Sequence, residues 1–138
     1  MKKTITGVLI DPQLGLAEKR TIERGEESYR SLLRSSDVEI VSCTIGGKQF
    51  DILYDGGRPW YRRHWPSALG RFRRPKLYGP LFVIKAVWET GPEGLSDEDA
   101  AFVLNNVHPL RHSSVPVLCN VSFDGPILRH LLRRLRRR

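Results

Sequence analysis

At 138 residues, 40 % of them hydrophobic, the chain has the size of one domain, can bury a core without staples and is too apolar to be disordered. Lys and Arg number 23 against 15 Asp and Glu, and the resulting net charge of +8 argues for an anionic partner: nucleic acid, an acidic protein, a nucleotide or a membrane surface. No run approaches membrane-spanning length and no signal peptide is visible, so a cytoplasmic location is expected.

Thr4 to Ile10 is rich in β-branched and apolar residues and predicts a mostly buried strand. Asp11-Pro12-Gln13-Leu14-Gly15 has turn chemistry, and Leu16 to Glu23 returns with a looser alternation, so the two runs predict a hairpin. Between Gly25 and Ser35 the period changes: Tyr29, Leu32 and Leu33 fall on one helical face, with Arg30 and Arg34 off it. Val38 to Ile45 alternates again. Gly46-Gly47 suits a two-residue hairpin turn, because both positions tolerate positive φ, and Lys48 to Tyr54 supplies the partner strand with Phe50, Ile52 and Tyr54 on one face.

The stretch 54–80 breaks the pattern. Six arginines (Arg58, Arg62, Arg63, Arg71, Arg73, Arg74) and Lys76 stand against a single acid, Asp55, with Trp60, Tyr61, Trp65, Phe72 and Tyr78 among them. Pro59, Pro66 and Pro75, with Gly56, Gly57, Gly70 and Gly79, argue against a continuous helix or central strand, so a long basic loop is expected. Arg recognises phosphate bidentately and flat rings offer stacking faces. Any one of these rings could instead fill a gap in the core while neighbouring Arg heads reach water. The one-sided charge of the whole stretch favours a surface that grips a polyanion.

Beyond it, Leu81 to Trp88 predicts a core strand, and Gly91-Pro92-Glu93-Gly94 a turn. Ser96 with Asp99 resembles a capping box, and Asp97, Glu98 and Asp99 favour a helix N-terminus there. That helix is expected to run to about Val107 and to bury Phe102 and Val103, with Pro109 marking its end. Val115 to Phe123 predicts a last strand with Pro116 at its edge or start. After Gly125-Pro126, residues Leu128, Leu131, Leu132 and Leu135 make a helical stripe, surrounded by Arg129, Arg133, Arg134, Arg136, Arg137 and Arg138. The expected fold is α+β: a mainly antiparallel sheet with two helices packed on it, a long basic loop and a basic C-terminal helix. One domain is expected over 1–123, with the basic and aromatic loop inserted at 54–80 and an Arg-rich tail at 124–138.

Catalytic chemistry has little footing. His108 and His112 are four apart, but Pro109 separates them; with Cys119 they could form a metal trio, although structural zinc sites show four ligands in tight pairs. Surface histidines are the simpler reading, and Cys43 and Cys119, both in apolar runs, suit buried thiols. Asp11, Asp51 and Asp55 could meet at one end of the sheet, though Asp11 before Pro12 and Asp55 before Gly56 are ordinary turn residues. No nucleophile elbow, phosphate-binding glycine loop or zinc-hydrolase motif is present. No enzyme activity, cofactor or metal is expected.

Five segments in order are informative together: Ile5 to Asp11, Val38 to Ser42, Ile45-Gly46-Gly47-Lys48-Gln49-Phe50-Asp51-Ile52, Gly79 to Ile84, and Leu95 to Asp99. Over roughly residues 4–107 they resemble a family of small domains of unknown function carried by phages and conjugative elements of gut Firmicutes, the Ile-Gly-Gly-Lys-x-Phe-Asp-Ile block being the most specific part. The resemblance implies an accessory role in a mobile element, such as countering host defence. The 54–80 stretch and the Arg-rich tail depart from the family pattern.

The expected function is a non-enzymatic binder of nucleic acid or of a nucleoprotein complex, concretely an inhibitor of a host defence system of the anti-CRISPR type. An oligomeric sponge for a nucleotide second messenger is the alternative. The expected contacts are Arg58, Trp60, Tyr61, Arg62, Arg63, Trp65, Arg71, Arg73, Arg74 and Lys76, with Arg133, Arg134 and Arg137 of the tail. Docking of the tail against the domain or a partner is favoured over membrane anchoring, since four leucines make a short stripe.

Overall fold

A computed structural model describes residues 3–57, 65–85, 92–110 and 113–123. The order is β1 (Thr4–Asp11), β2 (Leu16–Glu23), α1 (Glu26–Leu33), β3 (Val38–Ile45), β4 (Lys48–Asp55), β5 (Pro66–Leu69), β6 (Pro75–Tyr78), β7 (Leu81–Lys85), α2 (Asp97–Leu104), β8 (Val107–Pro109), β9 (Pro116–Leu118) and β10 (Val121–Phe123). The fold is α+β. Six strands form one antiparallel sheet in the order β10-β3-β4-β7-β1-β2, and four form a smaller sheet in the order β6-β5-β9-β8, within which β5 and β9 run parallel.

Both predicted hairpins are present. β1 pairs with β2 along its whole length, from Thr4 opposite Glu23 to Asp11 opposite Leu16. β3 and β4 join through Gly46 and Gly47, at φ 57° and 86°, a turn open to glycine and strained for β-branched residues. The period-2 pattern sends alternate residues to two cores. Ile5, Leu9, Leu53, Phe82 and Ile84 face α1, which buries Tyr29 and Leu33 against them. Val8, Ile10, Ile52, Val83 and Phe50 face α2 and the smaller sheet, including Ala100, Val103, Ala68, Leu77 and Leu118. Phe102 is only half-buried and stacks on Phe50 with ring centroids 6.0 Å apart. Among the described residues, no helix is long and apolar enough to cross a membrane.

The structure departs from the sequence expectations in three places. The second half of the stretch expected as a loop is a hairpin, β5–β6, whose Ala68, Leu69 and Leu77 are buried. The run 115–123 is two strands in two sheets: Asn120 takes φ 61°, which turns the chain from β9 into β10. α2 ends at Leu104, and Val107–Pro109 forms β8 instead of a last helical turn. Residues 86–88 of the run expected to continue the core strand, the first half of the basic stretch at 58–64, and the tail 124–138 lie outside the described residues.

α2 begins as its sequence suggests, with Ser96 Oγ accepting from the Asp99 N–H at 3.1 Å. Two ion pairs dock it: Lys19 with Asp97 at 3.0 Å, and Lys48 with Asp99. The Lys48 hydrogen bond and charge hold the Asp99 carboxyl below its usual value, against the opposing effect of partial burial. A carboxyl lowered in the folded state adds stability above the unfolded carboxylate range and loses it as pH falls through the lowered folded value. Lys48→Met is therefore expected to cost under about 1 kcal/mol at pH 7, as an exposed pair does, with the difference from the parent vanishing in urea melts as pH falls through the lowered Asp99 value. The central strand should be far more sensitive. Phe82 is fully buried, and Phe82→Ala is expected to lower the unfolding free energy by about 3–5 kcal/mol, read from chemical denaturation midpoints.

Candidate anion-binding groove

β5 and β6 are joined by a tight turn at Arg71–Arg73. Gly70 donates its N–H to the Arg74 carbonyl at 2.7 Å, Arg73 donates back to the Gly70 carbonyl at 3.0 Å, and Arg74 to the Arg71 carbonyl at 3.3 Å. Closing the chain so tightly forces two non-glycine residues into the left-handed region: Phe72 at φ 59°, ψ 28° and Arg73 at φ 57°. That conformation costs a side-chain-bearing residue roughly 1–2 kcal/mol, and such strain persists where the surroundings or a function demand it. Here it aims the Phe72 ring outward, 85 % exposed, with the Arg71 guanidinium 5.3 Å from the ring centroid.

The turn stands opposite the Gly46-Gly47 hairpin and the β9–β10 junction. Between them runs a groove of about 770 Å³, walled by Arg71, Phe72 and Arg73 on one side and floored by Asn120, Cys119 and Val121, with His108 at its margin. None of the described residues lining it is acidic. The floor is fixed by backbone and amide bonds. Gly46 N–H donates to the Asn120 carbonyl at 3.1 Å and Cys119 N–H to the Asn106 carbonyl at 2.8 Å. The Asn120 amide donates to Asn106 Oδ1 at 2.9 Å, and the Asn106 amide to the Phe102 carbonyl at 3.0 Å. Burial pushes the Cys119 thiol above its usual value, only partly offset by the positive charge of Arg73 nearby, so the sulfur stays protonated at neutral pH and is a poor nucleophile. Lys76 extends from β6 beneath the turn, its ammonium 5.9 Å from the Phe123 ring centroid.

Arg71, Arg73, Arg74 and Lys76 are all exposed, and among the described residues none of them forms an ion pair. Three buried aspartates of the described residues sit elsewhere. Asp11 accepts from Arg34 at 2.8 Å, Asp55 from Ser35 at 2.6 Å and from the Gly57 N–H at 2.9 Å, and Asp51 from Ser42 at 2.9 Å. Asp11 and Asp55 sit at one end and on one face of the sheet, separated by β7 at about 10 Å between backbones and tied to the consecutive residues Arg34 and Ser35. Asp51 lies about 13 Å back along β4 from Asp55 and does not join them. Among the described residues, no group of three or more His, Cys, Asp and Glu is placed to hold a metal ion.

Of the sequence-expected contacts, Arg71 and Arg73 line the groove, and Arg74 and Lys76 flank it. Trp65, 52 % exposed, stands at the opposite end of β5, about 16 Å from Gly70 where the turn begins, so it is not part of the same concave surface. Arg58, Trp60, Tyr61, Arg62, Arg63, Arg133, Arg134 and Arg137 lie outside the described residues. Phe72 is the residue the expected contacts omitted. Its signal was local: a ring inside Arg71-Phe72-Arg73-Arg74, with Gly70 before and Pro75 after, has no apolar neighbour to bury it. His108 and Asn120 reach the groove through long-range pairing of β8 with β9 and β10 with β3, which no local pattern announces. Comparison with protein-family models, with curated proteins and with solved structures finds no match for the chain.

The strain at Phe72 is separable from its role. Phe72→Gly removes an exposed ring and relaxes a left-handed residue, so thermal or urea unfolding is expected to show stability unchanged or raised by up to about 1 kcal/mol. A loss above about 1 kcal/mol would mean that the ring is packed.

Proposed function

We propose that the protein is a non-enzymatic binder of single-stranded nucleic acid, alone or within a nucleoprotein complex, and that the groove at Arg71–Arg73 is its contact surface. The observation that carries this reading is the set of four exposed cations that form no ion pair among the described residues, around a ring that strained backbone holds in solvent. Guanidinium and ammonium groups neutralise phosphates, and an exposed aromatic face stacks an unpaired base; together they are the usual means of gripping a single strand. A duplex keeps its bases stacked and offers nothing to such a ring. The resemblance to a mobile-element family adds a setting. In it, the concrete form of the function is inhibition of a nucleic-acid-guided host nuclease by occupying its guide or its displaced strand.

The test is binding of fluorescent DNA and RNA oligonucleotides, single- and double-stranded, over a range of salt. Arg71→Ala and Arg73→Ala are each expected to flatten the salt dependence of single-strand affinity by about 0.7 in log–log slope, the contribution of one phosphate contact. Phe72→Ala should weaken binding by about 1–3 kcal/mol with the slope retained, as loss of one stacked base does. Arg30→Ala, on α1 and paired with Glu26, is the control and should change neither. A parent protein that shows no salt-dependent binding to single strands would end this reading.

A further inference from the structure

β2 ends the six-stranded sheet as an eight-residue edge with no proline, and β1 pairs with it through all eight positions without a register shift. Arg24 N–H donates to the Lys3 carbonyl at 2.8 Å, which fixes the alternation: Leu16, Glu18, Arg20 and Ile22 turn their backbone groups to β1, and Ala17, Lys19, Thr21 and Glu23 turn theirs outward. No described strand pairs with that outer side. A long regular edge is a template for another strand unless its charges oppose pairing.

The charges of β2 select one partner and one register. In an antiparallel pairing of β2 with a second copy, the residue on the two-fold axis faces itself. Centring on Glu18, Lys19, Arg20 or Glu23 sets a charge against its own copy, and centring on Ile22 sets Arg20 against Arg24. Centring on Lys19 or Glu23 joins opposite charges only around a like-charged central pair, and centring on Ala17 sets no two charges opposite each other. Centring on Thr21 brings Lys19 against Glu23 and Glu18 against Arg24 with a neutral centre, in addition to the exposed pairs that Lys19 makes with Asp97 and Glu18 with Arg20 inside the chain. It also places Ala17, Lys19, Thr21 and Glu23, whose N–H and C=O groups point outward, in the hydrogen-bonded positions of the new ladder. We infer that β2 is a homodimer edge, pairing antiparallel about Thr21 into a continuous sheet of two chains. The β3–β4 hairpin and β10, which border the groove, belong to the opposite side of the sheet, so both grooves stay open at the outer edges.

The experiment is sedimentation or light scattering of the full chain over a concentration series up to about 100 μM, a range in which weak strand pairing is populated. The parent is expected to dimerise. Glu23→Lys and Lys19→Glu each set like charges opposite one another twice per dimer, and each is expected to raise the dissociation constant at least about tenfold. Mixing these two folded variants in equal amounts restores both attractive pairs, so a heterodimer should form where neither variant dimerises alone. Thr21→Pro removes an outward N–H that β1 does not use, and should leave a folded monomer. A parent that stays monomeric, a dimer indifferent to Glu23→Lys, or a mixture that gains no dimer would overturn the inference.

Discussion

The structure depends on burying β7 on both faces. Leu81, Phe82, Val83 and Ile84 are all fully buried, an apolar run with no polar side to give to water. An antiparallel sheet can leave one face wet, but here both must be covered. α1 covers the face of Phe82 and Ile84. Phe82 lies so close to Gly7 that a β-carbon there would meet its ring and the Val83 carbonyl, so the glycine is what lets β1 approach β7. The face of Leu81 and Val83 is too broad for the eight residues of α2 alone, and the smaller sheet completes it with Ala68, Leu77 and Leu118.

This requirement accounts for the buried residues in the second half of the basic stretch, which are Ser67, Ala68, Leu69 and Leu77 and not its rings. β5 buries Ser67, Ala68 and Leu69 in succession across its two register shifts, β6 buries Leu77, and the turn between them, where no core remains to be filled, carries Arg71, Phe72 and Arg73. Among the described residues of the stretch, Ala68, Leu69 and Leu77 pack in the core and Arg71, Arg73, Arg74 and Lys76 are exposed. The groove is then a consequence of where the smaller sheet ends against the β3–β4 hairpin, and its rigidity comes from the same bonds that join the two sheets at Asn106 and Asn120.

The parts of the fold that were legible in the sequence are those specified by short-range pattern. Thr4–Asp11, Leu16–Glu23, Val38–Ile45 and Lys48–Asp55 each alternate or run apolar over eight residues and are bounded by turn residues, and their pairing follows from adjacency. Ser96 marked its helix through a single cap. The smaller sheet was opaque for physical reasons. β5 reads Pro-Ser-Ala-Leu and β6 Pro-Lys-Leu-Tyr, too short for a period and each opening on a residue without an N–H. Their order comes from β5 lying beside β9, about fifty residues later, where Ala68 faces Leu118. Asn120 hid the break between β9 and β10, because asparagine is among the few residues that enter the left-handed region cheaply and its neighbours are apolar on both sides. At the groove, the charge was legible and the concavity was not, since it is made by elements that meet only in three dimensions.

Electrostatic bookkeeping across the fold sharpens what the turn can do. The pairs Lys19–Asp97, Arg20–Glu18, Arg30–Glu26, Arg34–Asp11 and Lys48–Asp99 match bases to acids on the large sheet and its helices. Arg71, Arg73, Arg74 and Lys76 have no such match among the described residues, so four exposed cations there are left to act on whatever enters the groove. Salt screens exposed charges beyond about 8–10 Å, which leaves a ligand sensitive to those within reach of it and blind to the far side. Within that reach, Arg71 already lies over one face of Phe72. A planar group that stacks on the remaining face completes a sandwich whose other layer is in place, so little side-chain ordering is left to oppose binding. In the proposed function, the left-handed backbone at Phe72 and Arg73 would present ring and cation together, where a flexible basic loop of the same composition would have to order both on each encounter.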